Sequence, residues 1–226
     1  MKFPKKKNCK FAEFIGILLG DGSISIKQYR VQITLNKNEI NYALYISKIM
    51  SELFGIEPKI KFRKNENALD ILVFSKQLVE FLIYEIGLAL APKWNRAILP
   101  KFYMRSNLDK YILRGYFDTD GCVAITNNNG IIYPRLEMKI CPSPMRDSLI
   151  KILKRRKFRC GIYNIENNRT RIQMNGYSQL FKWIKEIGIK NPNQLNKIKN
   201  LIIAGSGFEP LTSRLAGSNQ PDLRVS

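Results

Sequence analysis

Two aspartates in this sequence each stand near the end of the same short pattern. Residues 14–22 read FIGILLGDG and residues 113–121 read LRGYFDTDG. In both segments a glycine precedes a run of mostly apolar positions and then Asp-Gly, so Asp21 matches Asp120 at an offset of 99 residues. A single copy would be explained by a helix that ends in a tight Asp-Gly turn. Two copies, each heading a similar series of elements, indicate an internal repeat.

The two motifs predict a cation site where two helices meet. Gly16 and Gly115 stand inside the predicted helices, where glycine is less favourable than alanine by about 1 kcal/mol, and close approach of the two backbones would explain both. Asp21 and Asp120 would then meet at helix C-termini, where the helix dipole and their mutual repulsion both disfavour negative charge. A divalent cation removes this conflict, and carboxylate and carbonyl oxygens suit Mg²⁺. Such a cation can activate a water against a phosphodiester without histidine.

The composition favours a polyanionic partner and excludes several other chemistries. The 226 residues include 38 Lys and Arg against 18 Asp and Glu, a net charge of +20, and no histidine. This charge favours nucleic acid as the partner. A membrane surface is the second alternative, but no basic amphipathic helix that could bind one stands out in the sequence. Without histidine, Ser-His-Asp and Cys-His catalysis and His-based zinc sites are excluded.

The N-terminus and the cysteines predict a cytoplasmic protein. Lysines precede an apolar run there, as in a signal peptide, but Glu13 interrupts the run and Asp21 ends it. No stretch approaches the roughly 18 apolar residues that a membrane helix needs. The cysteines form no CxxC pair, and we expect all four to be reduced thiols. They are Cys9, Cys122, Cys141 and Cys160.

Each motif is followed by the same predicted order of elements, which makes the fold class α+β with two pseudo-symmetric αββαββα halves. Strands of the first half are expected at residues 23–27, 30–36, 59–63 and 68–74, and helices from Asn38 to about Phe54 and from Ser75 to Gly87. Strands of the second half are expected at 122–126, 132–141, 158–165 and 169–175, and helices from residue 106 or 107 to the second Asp-Gly, from Ser143 to about Lys157, and over 177–188.

The repeat also sets the predicted domains. Residues 1–98 form the N-terminal half, 99–106 the linker and 107–203 the C-terminal half, followed by a Gly-, Ser- and Pro-rich tail at 204–226 that we expect to be disordered. The codons of residues 207–210, Gly-Phe-Glu-Pro, can contain the string GGTTCGAACC, which looks like the T-arm of a tRNA gene. The reading frame is therefore expected in or beside an intron of such a gene.

The motifs, their spacing and the element order resemble the LAGLIDADG homing endonucleases in their single-chain, two-motif form. The resemblance covers about residues 10–200. It implies two motif helices at the interface between the halves and two antiparallel sheets that form a saddle over the DNA major groove. It further implies a monomer that makes a double-strand break across the minor groove, leaving a short 3′ overhang. Because the two halves differ in their residues, the target would be long and only roughly palindromic.

The resemblance also assigns catalytic roles. Asp21 and Asp120 would bind Mg²⁺ or Mn²⁺, with Ca²⁺ able to occupy the site without turnover, and the carbonyls of Gly20 and Thr119 would assist. Leu19 stands where many members have a second acid, which Asp118 keeps, but that position is not a metal ligand in the family. Polar or basic residues would also surround the metal-bound water. The candidates are Asn36 and Lys37 in the first half, Lys139 near the matching place in the second, and Lys93 and Lys190, taken to lie just before the last helix of each half.

Alternating polar residues on the predicted strands form the candidate DNA-reading face. One face of each antiparallel sheet is expected to pack on helices while the other stays open. In the major groove, Arg side chains typically hydrogen-bond to guanine, and Gln or Asn side chains to adenine. Trp94 and Trp183 are expected in the core instead. The candidate DNA contacts are Arg30, Gln32, Thr34, Lys37, Lys59, Lys61, Arg63, Arg135, Glu137, Arg169, Arg171, Gln173 and Asn175.

Two alternatives to a site-specific DNA endonuclease remain open from the sequence. An RNA-splicing maturase would carry a similar basic surface, and some relatives have that role. A non-catalytic DNA-binding protein on the same fold would not need both aspartates, so their presence favours a nuclease.

Overall fold

The computed structural model of the protein describes residues 2–129 and 131–204. The first half comprises α1 (Cys9–Leu19), β1 (Gly22–Ser25), β2 (Arg30–Asn36), α2 (Ile40–Phe54), β3 (Lys59–Phe62), β4 (Ala68–Phe74) and α3 (Lys76–Glu80), which continues as a π-helix over Phe81–Glu85. After a short helix α4 (Lys101–Met104), the second half comprises α5 (Asp109–Asp120), β5 (Gly121–Asn128), β6 (Ile131–Ile140), α6 (Pro144–Arg155), β7 (Gly161–Ile165), β8 (Arg169–Asn175), α7 (Tyr177–Glu186) and α8 (Pro192–Ala204). The predicted α+β fold with two αββαββα halves is confirmed.

The two sheets have the same topology. Each is antiparallel with four strands, in the orders β1-β2-β4-β3 and β5-β6-β8-β7. In β2, Val31, Ile33 and Leu35 are buried, whereas the residues between them are only partly covered. Each sheet therefore packs one face on the core and leaves the other open, as the alternation in the sequence predicts.

The two motif helices pack against each other with no room for a side chain between their backbones. A Cβ added at Gly16 would lie 2.3 Å from the carbonyl oxygen of Ile112, and one at Gly115 would lie 2.1 Å from that of Glu13. The predicted reason for the two glycines, close approach of α1 and α5, is confirmed. An ion pair between buried Glu13 of α1 and Arg114 of α5 also joins the two halves.

The start of α2 differs from its prediction. Asn36, not Asn38, caps the chain here: its side chain accepts a hydrogen bond from the Asn38 amide at 2.9 Å, and Glu39 accepts one from the Asn36 amide at 3.1 Å. This capping box closes a 3-10 turn over Lys37–Glu39 before α2 begins. It fixes Glu39 at the end of β2.

Two helices were not predicted, α4 and α8. The N-terminus of α8 is capped by Asn191, whose side chain accepts a hydrogen bond from the Asn193 amide at 3.0 Å. The side chain of Gln194 then accepts from the Val123 amide of β5 at 2.9 Å. Helix α8 therefore covers the outer strand of the second sheet, a role that strand edges commonly require.

Several smaller predictions are also decided. Strand β7 begins at Gly161 rather than at the predicted Phe158, and α5 begins at Asp109 rather than at residue 106 or 107. The four cysteines are free, as expected. Within the described ranges, no helix has both the length and the apolar character needed to cross a membrane. The predicted tail lies outside the described residues, except for Ala204, which ends α8.

Candidate active site

The C-termini of α1 and α5 meet side by side and bring the two motif aspartates together. A Cβ at Gly20 would lie 2.0 Å from the Thr119 hydroxyl and 3.5 Å from Oδ2 of Asp120. Asp21 directly follows Gly20, and Asp120 is the last residue of α5. The motif pairing predicted from the sequence thus places both carboxylates at one end of the helix interface.

Both carboxyl groups are held in an environment that disfavours their charged form. Loss of hydration is the main cause that raises the pKa of Asp21 to about 7, and the charges of Asp120 and Glu39 raise it further against the opposing effect of Lys93. Asp120 stays open to solvent on one side, yet the surrounding protein atoms raise its pKa to about 6, opposed by Lys93 and Tyr116. Two carboxylates in this state are suited to a divalent cation, which would supply the missing positive charge.

Lys93 reaches this point from the connection between α3 and α4. Its Nζ donates to the carbonyl oxygens of Leu18 at 2.6 Å and Leu19 at 2.8 Å, and also to that of Gly20. Desolvation lowers the pKa of Lys93 to about 8 in spite of the two nearby aspartates. The ammonium group therefore caps α1 at its C-terminus, where the helix dipole favours a cation.

Asn191, which was not predicted, takes the corresponding place in the second half. Its Nδ2 donates to the Asp118 carbonyl oxygen of α5 at 2.9 Å and to the Glu39 carboxylate of the first half at 2.7 Å. The neighbouring candidate, Lys190, has an exposed side chain and contributes its backbone amide to Oδ2 of Asp118 at 2.8 Å. Burial raises the pKa of Asp118 to about 7, and its contacts indicate a structural role.

Strand register decides which residues of the two halves correspond at the end of the second strand. Gly22 lies opposite Ile33 in the first sheet, and Gly121 lies opposite Met138 in the second. Ile33 and Met138 are therefore equivalent positions. One residue further on, Thr34 of the open face corresponds to Lys139, and three residues further on, Asn36 corresponds to Cys141.

By strand register, Cys141 rather than Lys139 is the second-half counterpart of Asn36. Burial raises the pKa of its thiol, and the charge of Asp120 raises it further. Asn36 and Lys37 lie in the exposed capping turn, and Glu39, which sequence reasoning missed, is the residue of this turn whose charge acts on Asp21. The Asn-x-x-Glu pattern of a capping box was the available signal.

The residues present fit a divalent cation held by two carboxylates together with backbone and solvent oxygens. In the described part of the chain, no three Cys, Asp or Glu side chains converge as a group that could hold a metal. Asp21 and Asp120 would supply two carboxylates and the Thr119 carbonyl would assist, whereas the Gly20 carbonyl already accepts a hydrogen bond from Lys93. Water and substrate phosphate oxygens would supply the remaining oxygen ligands that Mg²⁺ requires.

The structure places the predicted DNA contacts on the two open faces and their edges. Arg30, Arg135, Arg169 and Arg171 are partly exposed, Lys59, Lys61 and Asn175 are exposed, and Glu137 and Gln173 are buried within the second face. Trp183 lies in the core as predicted, but the prediction for Trp94 is wrong. Trp94 is 44% exposed, and the Arg169 guanidinium carbon lies 6.0 Å from its ring centroid, on the open side of β8.

A family model described as the LAGLIDADG DNA endonuclease family matches residues 12–181, which include both motifs. The chain belongs to this family. Its two motif aspartates, the backbone contact between α1 and α5 and the two equivalent sheets are thus features of a LAGLIDADG protein.

Curated relatives of this LAGLIDADG chain are much longer proteins. It is 28% identical over 202 residues to the replication factor C small subunit of Methanocaldococcus jannaschii, a match covering 86% of this chain and 10% of that protein. It is 30% identical over 130 residues to a DNA polymerase of Thermococcus kodakarensis, covering 49% of this chain and 7% of that protein. The chain thus spans a tenth or less of the length of these relatives.

Solved structures share its fold at low sequence identity. I-DmoI in complex with DNA and Mn is 16% identical with a TM-score of 0.56, over 80% of this chain and 96% of that chain. I-WcaI bound to its DNA recognition sequence is 18% identical with a TM-score of 0.60, over 86% of each chain. WhiA of Thermotoga maritima is 14% identical with a TM-score of 0.57, over 94% of this chain and 66% of that chain.

Proposed function

We propose that this protein is a monomeric, site-specific DNA endonuclease that cuts both strands of a long, roughly palindromic duplex site. The observation that carries the proposal is the pair of aspartates at the joined ends of α1 and α5. The reaction would be divalent-metal-dependent phosphodiester hydrolysis, as befits a homing endonuclease, and the gene would be encoded in an intron.

The arrangement of the two halves supports cleavage of both strands. Asp21 and Asp120 come from equivalent positions of the two halves, so each half can serve one strand of a duplex that lies across them. When bound, the metal would polarise the scissile phosphate and acidify a water molecule. Lys93 holds the end of α1 in place through three backbone carbonyls, and it adds a positive charge beside the place for the phosphate.

The two open sheet faces support binding of duplex DNA. They carry most of the predicted basic and amide contacts, and the chain has a net charge of +20. A surface of this kind neutralises phosphates and presents side chains to base edges in the major groove. Phosphate contacts would set the orientation of the duplex, and the side chains on the strands would select the sequence.

The proposal is tested by cleavage of a randomised duplex DNA library in Mg²⁺, with the cut ends mapped by sequencing. We expect double-strand breaks with a short 3′ overhang at one family of related sites, and no breaks in EDTA. Breaks at unrelated sequences, or breaks that persist in EDTA, would contradict a metal-dependent, site-specific enzyme. Binding of the library without cutting would favour the alternative of a non-catalytic DNA-binding protein.

Binding to the selected duplex is expected to weaken steeply with salt. A protein that neutralises several phosphates releases a similar number of counterions, so affinity should fall about a thousandfold between 50 and 200 mM salt. Fluorescence anisotropy with a labelled duplex in EDTA measures this dependence without cleavage. An affinity that changes by less than about threefold over that range would show that the basic sheet faces do not contact the phosphates.

A further inference from the structure

Asp70 lies in the middle of the open face of the first sheet, surrounded by residues predicted to contact DNA. It stands between Thr34 of β2 and Lys61 of β3 in the strand register, and it is 7% exposed. Its Oδ1 accepts hydrogen bonds from Gln32 Nε2 and from the Thr34 hydroxyl, both at 2.8 Å. Asp70 was not predicted as a functional residue, but it organises several residues that were.

Most of the N–H donors of Arg63 are hydrogen-bonded to Asp70 and its neighbours. Its Nε donates to Oδ2 of Asp70 at 2.8 Å, and its Nη2 donates to Oδ1 at 2.9 Å and to the Thr34 hydroxyl at 3.3 Å. Its Nη1 pairs with Glu66 at 2.7 Å. A guanidinium has five N–H donors, so one remains. Reading guanine through O6 and N7 needs two parallel donors, which Arg63 does not have free.

Gln32 is also restricted in what it can read. Its Nε2 carries two hydrogens, and these donate to Asp70 at 2.8 Å and to Thr34 at 3.2 Å. Bidentate reading of adenine would need one of them for N7. Only Oε1 of Gln32 remains, and it is an acceptor. Together with the lone pair left on Oδ2 of Asp70, the pair formed by Gln32 and Asp70 offers acceptors rather than donors.

We infer that Gln32 and Asp70 together read an exocyclic amino group, of cytosine or adenine, and that Arg63 positions these acceptors without reading a base. This inference rests on the proposed function, because it assumes that the open face lies in a DNA major groove. Both bases present an amino group there, whereas guanine and thymine present acceptors at the corresponding place. The cluster would therefore reject guanine at the base pair that it faces.

The second sheet presents the opposite chemistry at the corresponding position. Lys139 pairs with Arg171 as Thr34 pairs with Asp70, so Arg171 takes the place of the carboxylate. Among the ion pairs of residues 2–129 and 131–204, none involves Arg171. Its guanidinium carbon lies 5.7 Å from the ring centroid of Tyr163. The two halves therefore differ in the base class they favour.

The test is selection of a randomised duplex library by binding in EDTA, with the wild type, Asp70→Asn, Arg63→Gln and Glu66→Gln. The wild type should enrich cytosine or adenine at one position of the first half-site. Arg63→Gln should bind more weakly and keep that choice, because Arg63 touches no base. Asp70→Asn should raise the acceptance of guanine there by about tenfold or more, because Arg63 is released. Glu66→Gln changes only the exposed partner of Arg63, so it is the matched control and should select like the wild type.

Two results would overturn the inference while leaving the proposed function intact. One is a guanine in the wild-type site that disappears with Arg63→Gln, because Arg63 would then read it. The other is an unchanged preference in an Asp70→Asn protein that melts at the wild-type temperature. If Asp70→Asn does not fold, the Arg63→Gln selection still decides. If the wild type enriches no sequence, both the proposed function and this inference fail.

Discussion

Replacing Asp21 with asparagine is expected to raise the melting temperature of the metal-free protein by several degrees at neutral pH. Desolvation raises the pKa of Asp21 from its ordinary value of 3.8 to about 7, so the folded protein resists ionisation of this group. A tenfold change in acidity corresponds to about 1.4 kcal/mol, and each kcal/mol shifts the melting temperature of a chain of this size by about 2–4 °C. Asparagine has nearly the same shape and no charge. Asp120→Asn should have a smaller effect, because Asp120 is more open to solvent.

The pH dependence of this stabilisation has a defined sign. Between the unfolded and folded pKa values, the folded protein binds more protons than the unfolded chain, so Asp21 lowers stability as the pH rises from about 4 to about 7. The difference between Asp21→Asn and the wild type should therefore be near zero at the acid end and fully developed at neutral pH. Thermal unfolding followed by circular dichroism across this range measures it.

Melting temperatures measured with Ca²⁺ distinguish a cation site at the two aspartates from a general effect of removing a negative charge. Ca²⁺ should raise the melting temperature of the wild type at neutral pH and have little effect on Asp21→Asn or Asp120→Asn, because a ligand that binds only the folded state stabilises it. Asp147→Asn is the matched control, since Asp147 has an exposed side chain on α6. An equal response to Ca²⁺ in all four proteins would argue against a cation site between the motif aspartates.

Replacing Gly16 or Gly115 with alanine is expected to destabilise the protein by about 3 kcal/mol or more. A Cβ at Gly115 would lie 2.1 Å from the Glu13 carbonyl oxygen and 2.8 Å from the Ile17 amide nitrogen, and both are backbone atoms that cannot rotate away. Overpacking of a tight interior typically costs about 1–3 kcal/mol, and here the two helices must move apart. Urea unfolding measures the loss.

The same substitutions should reduce cleavage, because Asp21 and Asp120 are positioned by the contact between α1 and α5. A shift of about 1 Å between reacting groups can cost a hundredfold in rate. Asn196→Ala, in an exposed position of α8, introduces alanine into a helix without a steric conflict and should leave both stability and cleavage near wild type. Wild-type stability for Gly115→Ala would show that the helices do not approach as closely as the structure indicates.

The repeat allowed most of the fold to be predicted, because the same periodicities and turn residues occur twice. The double Asp-Gly motif and its internal glycines predicted the contact between α1 and α5, which the structure confirms. Helix α8 was missed although Asn191-Pro192 is a typical helix start. No repeat partner in the first half pointed to it.

The surroundings of the aspartates were less accessible from sequence, because they depend on strand register and on contacts between the halves. Lys139 was predicted near the place that matches Asn36 and Lys37, and the register of β5 and β6 makes Cys141 the counterpart of Asn36. Glu39 and Asn191 meet across the two halves through a hydrogen bond of 2.7 Å between residues 152 positions apart. Asp70 was likewise hidden, because an acid on a basic face is recognised only when its hydrogen bonds to Gln32, Thr34 and Arg63 are seen.

The most direct test of the two-aspartate site is the rate at which each strand of the selected duplex is cut in Mg²⁺. We predict that Asp147→Asn cuts both strands at about the wild-type rate. Asp21→Asn and Asp120→Asn should lose double-strand cleavage by about a thousandfold or more while still binding the duplex. Binding by each variant in EDTA shows that the DNA surface is intact. Double-strand cleavage at the wild-type rate by either Asp21→Asn or Asp120→Asn would contradict the account.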